Sequence, residues 1–162
     1  MLDTQWCSLV RQKLTLSRQL LRVSSETRQF NTALANEALI QGSIALIEEA
    51  RHLMLQLVAR TFQAEGFQGQ TLAELADALG RDNAEVELLS ALAREPGSWW
   101  QQLDTVVALQ QNPRPPKPAG ESEGMIAVAP SSESERSVEA LEGLIGEFRG
   151  YLESFTERYE QW

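Results

Sequence analysis

Residues 138–162 have the sequence VEALEGLIGEFRGYLESFTERYEQW, and this stretch carries the most regular apolar pattern in the chain. Its large apolar residues recur at alternating spacings of three and four, which places them along one side of an α-helix. The members of this apolar seam are Val138, Leu141, Ile145, Phe148, Leu152, Phe155, Tyr159 and Trp162. The pattern predicts an amphipathic C-terminal helix over about 135–161.

The other side of this helix is acidic, and its glutamates are Glu139, Glu142, Glu147, Glu153, Glu157 and Glu160. A heptad seam can pair with a second chain or pack into the bundle of its own chain. For a single helix of about 25 residues, burial in its own bundle is favoured and the acidic side faces solvent. The sequence leaves the oligomeric state open.

Two long helices are predicted before the middle of the chain, over residues 2–24 and 27–63. The first has apolar residues at helical spacing, and Ser24-Ser25-Glu26 marks a predicted weak point or bend at its end. The second is apolar over a wide arc that starts at Leu34, which is typical of a central helix touched on several sides.

Three short helices follow, over about 71–79, 83–94 and 99–111. Each begins with a polar side chain three residues before Glu or Gln, and this spacing lets the first side chain cap the helix while the second returns a bond. The three pairs are Thr71 with Glu74, Asp82 with Glu85, and Ser98 with Gln101. Gly80 and Pro96-Gly97 supply the stops.

Residues 112–135 are predicted to be a linker, because most of the prolines lie there: Pro113, Pro115, Pro116, Pro118 and Pro130. Inside it stands an apolar island, Met125-Ile126-Ala127-Val128-Ala129. We expect the island to dock on the bundle, with a peptide motif for a partner as the alternative. Met125, Ile126 and Val128 are therefore candidate interaction residues.

These elements predict an all-α fold. It is a helical bundle of two long N-terminal helices, three short helices, a Pro-rich crossover linker and a C-terminal amphipathic helix. The expected organisation is a bundle core over 1–111, the linker over 112–135, and a last helix over 136–162 that packs on the bundle. No strand is predicted.

Trp99 and Trp100 stand side by side after Pro96-Gly97-Ser98, and half of the four tryptophans are in this pair. Adjacent positions on a helix are about 100° apart, so the two rings are expected to diverge. We predict that one is in the core and the other is partly covered at the rim. Any exposed part makes Trp99 and Trp100 candidate interaction residues.

Conventional catalysis lacks its parts in this sequence. The chain has one histidine, His52, so the Glu49/His52 spacing cannot build a di-iron site, which needs the pair twice. No G-x-S-x-G elbow and no phosphate-binding glycine motif is present. We therefore predict no catalytic residue, no metal, no cofactor and no enzyme activity.

The net charge of −9 disfavours nucleic acid, since phosphate binding depends on positive charge. Residues 71–87 resemble a helix-turn-helix of bacterial regulators, but Glu85 and Glu87 would face the phosphates from its second helix. A DNA-binding regulator is the disfavoured alternative. Residues 1–30 are basic, and they are expected either to meet an acidic partner or to pack among the acidic helices of their own chain.

Cys7 is the one cysteine, so no disulfide within the chain is expected. We expect no signal peptide, since Asp3 stands where a basic region is required, and no membrane span, since apolar runs are short. The expected location is the cytoplasm, with no membrane partner.

The arrangement of a long central helix with shorter ones is similar to the four-helix HEPN class, which includes ribonuclease toxins. Active members carry an arginine followed by histidine after four to six residues. Here the residues four to seven positions before His52 are Ala45, Leu46, Ile47 and Glu48. None of them is arginine and Arg51 is adjacent to His52, so the resemblance does not extend to the nuclease motif.

The chain also resembles a family of short bacterial helical proteins of the domain-of-unknown-function kind. The resemblance is carried by Arg11-Gln12-Lys13-Leu14, the apolar run from Leu53 to Val58, and Pro96-Gly97-Ser98-Trp99 leading to Leu103. It implies a fold and a bacterial cytoplasmic setting, and no activity or site residues.

The functional prediction is a non-enzymatic protein-interaction or scaffold module, with an unknown protein partner or self-association. The alternative is a HEPN-like component of a toxin–antitoxin or nucleotide-related system that lacks the nuclease motif.

Overall fold

The computed structural model describes residues 2–112 and 132–161. Within them the chain is helical and contains no β-strand, which confirms the predicted helical bundle. The candidate residues Met125, Ile126 and Val128 lie outside the described residues. The helices are α1 (Thr4–Thr27), α2 (Ala33–Thr61), α3 (Leu72–Leu79), α4 (Ala84–Arg94), α5 (Trp99–Gln111), α6 (Ser132–Glu135) and α7 (Val138–Tyr159).

The two long helices α1 and α2 form an antiparallel hairpin. Ser17 and Ser43 are joined by a hydrogen bond of 2.7 Å between their hydroxyls, and the Ser17 hydroxyl lies 3.0 Å from the Ser43 carbonyl oxygen. Further from the turn, Lys13 pairs with Glu49 at 2.9 Å. Because both serines are buried, this bond satisfies polar groups that would otherwise be costly inside the hairpin.

The predicted weak point at residues 24–26 was wrong, since α1 continues to Thr27. Ser24 is buried, and the Thr27 hydroxyl donates to the Val23 carbonyl at 2.6 Å, so both side chains are accommodated within the helix. The chain turns after Thr27, and Thr32 caps α2 by accepting from the Ala35 N–H at 3.1 Å.

Helix α7 packs against α1, α2 and α5, and its apolar seam is the centre of the core. The predicted seam is confirmed, because its inner members are completely buried: Leu141, Ile145, Phe148, Leu152 and Phe155. The two ends of the described seam, Val138 and Tyr159, are partly buried. Its C-terminal member, Trp162, lies outside the described residues.

The short helices begin as the capping patterns predict at two of three places. Thr71 and Glu74 form a capping box, and Ser98 accepts from the Gln101 N–H at 3.2 Å. For α4 the predicted cap was wrong, because Asn83 rather than Asp82 accepts from the first N–H groups of the helix. Glu85 is thereby free to turn toward α7 instead of returning a bond to its own cap.

Candidate interaction surfaces

Trp99 and Trp100 are core residues, with 3% and 6% of their surfaces exposed. Trp99 is stacked on Phe148 of α7, with ring centroids 4.1 Å apart and planes within 5°. Trp100 lies under the guanidinium of Arg51, 4.9 Å from the ring centroid. The prediction that one of the two would be at the rim was wrong, because each ring has its own cover. Their role as an interaction surface stays a prediction, and their burial weighs against it.

The most buried charged side chain in the described residues is Glu85, which is 1% exposed. Its carboxylate accepts from Arg158 at 2.5 Å and 3.1 Å, from the Tyr151 hydroxyl at 3.2 Å, and from the Tyr159 hydroxyl at 3.3 Å. The position expected to face phosphates is therefore enclosed between α4 and α7. Glu87, by contrast, is exposed.

Both tyrosines of this cluster are held in their protonated form. Burial, and then the negative charge and hydrogen bond of Glu85, raise the pKa of Tyr151 well above its ordinary value. The same causes raise the pKa of Tyr159. Protonated hydroxyls are the donors that a buried carboxylate needs, so the cluster joins α4 to α7 as a structural unit.

Two charged residues near His52, Glu49 and Arg51, form ion pairs with other helices. Glu49 is paired with Lys13, so the Glu49/His52 spacing does not present two free ligands. Arg51 pairs with Asp104 and covers Trp100. Among the described residues, no group of three or more His, Cys, Asp or Glu side chains is arranged to hold a metal ion.

The end of the α1–α2 hairpin exposes two large apolar side chains. Phe30, in the turn, is 86% exposed, and Leu34, in the first turn of α2, is 80% exposed. Arg22 and Arg28 are exposed nearby, and neither forms an ion pair with any other described residue. We call residues 28–34 the hairpin tip.

Sequence reasoning missed the tip. The spacing of Leu34 fits the apolar arc of α2, and this predicted burial. The structure instead places Leu34 on the outer side of α2, on one helical stripe with Ala38, Gln41 and Ala45, which are also exposed. Phe30 was also placed wrongly, since the second helix was predicted to begin at residue 27, whereas α2 begins at Ala33 and Phe30 lies in the turn before it.

A groove of about 400 Å³ runs between α4 and α7. Its walls include Leu88, which is 37% exposed, and Trp99, with Gly150 and Tyr151 on the α7 side. The indole Nε1–H of Trp99 is buried and has no hydrogen-bond partner among the described residues. The remaining lining residues are Ala91, Leu92, Glu95, Glu147, Ser154 and Arg158.

Three glycines lie on the outer side of α7, at Gly143, Gly146 and Gly150. A Cβ atom built on any of them would meet nothing within 4 Å apart from its own helix. They are therefore not explained by close packing within the described chain. They lie among the exposed glutamates of this side, Glu142, Glu147 and Glu153, and Gly150 also lines the groove.

The described helices include none that is long and apolar enough to cross a membrane. Residues 3–162 match DUF6586, a family of unknown function. The chain belongs to the DUF6586 family. This confirms the resemblance to a domain-of-unknown-function family, while nothing supports the similarity to the HEPN class. No curated protein and no solved structure matches the chain.

The segments that carried this resemblance are structural in the present DUF6586 chain. Leu14 and most of the run from Leu53 to Val58 are in the core. Gly97 has a φ of +78°, a left-handed conformation that glycine adopts without strain, and Ser98 then caps α5. These residues account for the fold and leave the function to the exposed surfaces.

Proposed function

We propose that this DUF6586 protein is a non-enzymatic protein-interaction module of the bacterial cytoplasm, and that it docks through the hairpin tip. The observation that carries the proposal is the exposure of Phe30 and Leu34, at 86% and 80%. Full burial of such a side chain is worth about 1.5–3 kcal/mol. The free chain does not realise this burial free energy, so two such side chains exposed at one end of the hairpin favour a surface that a partner covers.

The position of the tip suits recognition. Phe30 and Leu34 stand at the end of a hairpin whose helices are locked together by the Ser17–Ser43 bond. An anchor on a rigid support loses little conformational freedom on binding, so more of the burial energy appears as affinity. Large aromatic anchors are also the side chains that most often dominate binding at interfaces.

The chemistry of the described residues supports a role without catalysis. Several charged groups are engaged in holding the bundle together, as Glu85 is by Tyr151 and Arg158, and Glu49 is by Lys13. Cys7 is buried, and this burial raises the pKa of its thiol, which lowers its reactivity. The acidic composition and the lone cysteine fit a reducing compartment.

A photo-crosslinking amino acid placed at position 30 tests the proposal in cells that make the protein. We expect an adduct with a protein, and none when the same group replaces Ala78, which is exposed on α3. Leu34→Ser should reduce the adduct at position 30 without changing the circular dichroism spectrum. An adduct only with residues 113–131 of the same molecule, or no adduct, would contradict the proposal.

A further inference from the structure

We infer that the partner of the hairpin tip is a second copy of this chain, which receives Phe30 in the groove between α4 and α7. This inference rests on the proposed function and names the partner. Its first support is that no described residue covers either surface: the tip offers exposed apolar side chains, and the groove offers partly apolar walls that could receive them.

The glycines of α7 indicate that something outside the described chain approaches this helix closely. Glycine in the interior of a helix costs about 1 kcal/mol relative to alanine. Gly143, Gly146 and Gly150 each carry this cost, and no neighbour inside the described chain needs the space that they leave. A backbone or a large side chain from a second molecule makes use of such a surface.

The groove fits an aromatic side chain. Its volume of about 400 Å³ lies in the range of sites that enclose apolar groups, and its walls include Leu88, Leu92 and the edge of the Trp99–Tyr151 pair. Leu88 is 37% exposed and gains burial when the groove is filled. Trp99 also lines the groove, so its indole signal reports on whether the groove is filled.

The charges of the two surfaces are opposite. Arg28 lies in the tip and Arg22 precedes it, with the exposed Glu26 between them, so this end carries a net positive charge. Glu95 and Glu147 line the groove, and neither these glutamates nor the two arginines form an ion pair with a described residue. Arg158, which also lines the groove, is neutralised by Glu85. Such complementarity adds little affinity at a wet rim but directs the orientation of docking and disfavours the pairing of two grooves.

Sedimentation velocity of the purified full chain over a wide concentration range is the first test. We expect reversible self-association, weakened by salt because rim charges contribute to it. Phe30→Ser removes the anchor and Gly150→Leu fills the groove, and each should weaken association at least tenfold. Ala78→Leu, a comparable enlargement on α3, should leave association unchanged. If leucine at position 150 disturbs α7, Gly150→Ala takes its place in the test. The smaller alanine side chain should still weaken association, but by less than leucine.

Mixing the two variants separates a tip-in-groove contact from any other interface. Phe30→Ser keeps an intact groove and Gly150→Leu keeps an intact tip, so the mixture should form pairs that neither variant forms alone. In ¹H–¹⁵N spectra the Trp99 indole N–H signal should shift with concentration, while that of Trp6 stays in place. No rescue on mixing, or a wild-type chain that is monomeric throughout, would overturn the inference.

The result also separates this inference from the proposed function. If the wild-type chain is monomeric while position 30 crosslinks to a different protein, the second copy is wrong and the docking role of the tip stands. If position 30 crosslinks to nothing and Phe30→Ser leaves association unchanged, both are wrong.

Discussion

The carboxylate of Glu85 on α4 lies 2.5 Å from the Nη2 atom of Arg158 near the end of α7. The two residues are far apart in sequence. The Glu85 side chain is buried, with 2% of its surface exposed, whereas 37% of the Arg158 side chain is exposed. A buried charge is tolerated when it is paired and fully hydrogen-bonded. Here the two tyrosine hydroxyls complete the set of donors.

Removal of Arg158 should therefore destabilise the fold. We expect Arg158→Met to cost about 2 kcal/mol, less than the roughly 3–5 kcal/mol of a fully buried broken pair, because the arginine is partly exposed and the tyrosine donors remain. The double variant Glu85→Leu/Arg158→Met should be much closer to wild type, since it leaves no buried charge. Urea unfolding of the three proteins measures both values, and equal losses in the single and double variants would contradict the argument.

The stability of the bundle should fall at alkaline pH. The pKa values of Tyr151 and Tyr159 are raised in the folded state above the ordinary tyrosine value of about 10. The stabilisation linked to these protons is complete below about pH 10 and is lost as the pH rises from there through the folded-state pKa values. Tyr151→Phe/Tyr159→Phe should flatten this decline, although it lowers stability at neutral pH. Thermal melting of the wild type and of the double variant at a series of pH values measures the two declines.

The stacked contact between Trp99 and Phe148 should carry much of the attachment of α7. Phe148→Ala should cost about 3–5 kcal/mol, because a completely buried aromatic side chain leaves a cavity. Trp99 fluorescence should shift to longer wavelength as its cover is lost. Glu142→Ala on the exposed side of α7 is the matched control and should change stability by less than about 0.5 kcal/mol.

The outer glycines of α7 should be replaceable in the isolated chain at low concentration. Gly143→Ala should stabilise it by about 0.5–1 kcal/mol, since alanine favours the helix and meets no neighbour within 4 Å. Gly80→Ala should instead destabilise it, because Gly80 has a φ of +91°. Denaturant midpoints compare the two, and a destabilising Gly143→Ala would show that this surface is already packed.

Features that depend only on the spacing of nearby residues could be predicted from the sequence. The seam from Leu141 to Phe155 follows from period alone, and the caps at Thr71 and Ser98 follow from side chains that reach only three residues along the chain. The α4 cap at Asn83 was displaced by one residue because Asp82 and Asn83 are both competent caps, and nothing local decides between them.

The features that were missed depend on what lies across the bundle. Glu85 in the first turn of a helix is typically solvated, and only the folded chain brings Arg158 and two tyrosines to it. Trp100 is buried because Arg51, from a different helix, lies over its ring. The exposure of Leu34 likewise depends on which side of α2 the other helices cover, and the wide apolar arc of α2 does not show this locally.

The Glu85 cluster also has a consequence for the order of folding. Arg158, Tyr151 and Tyr159 are 66–74 residues beyond Glu85 in the chain, so they leave the ribosome after it. Until α7 is present, the Glu85 carboxylate lies beside the apolar side of α4 without its partners. Burying that side would then also bury an unpaired charge. We therefore expect the charge to disfavour collapse of α4 before α7 is made, so that the core is completed only when α7 packs against α4.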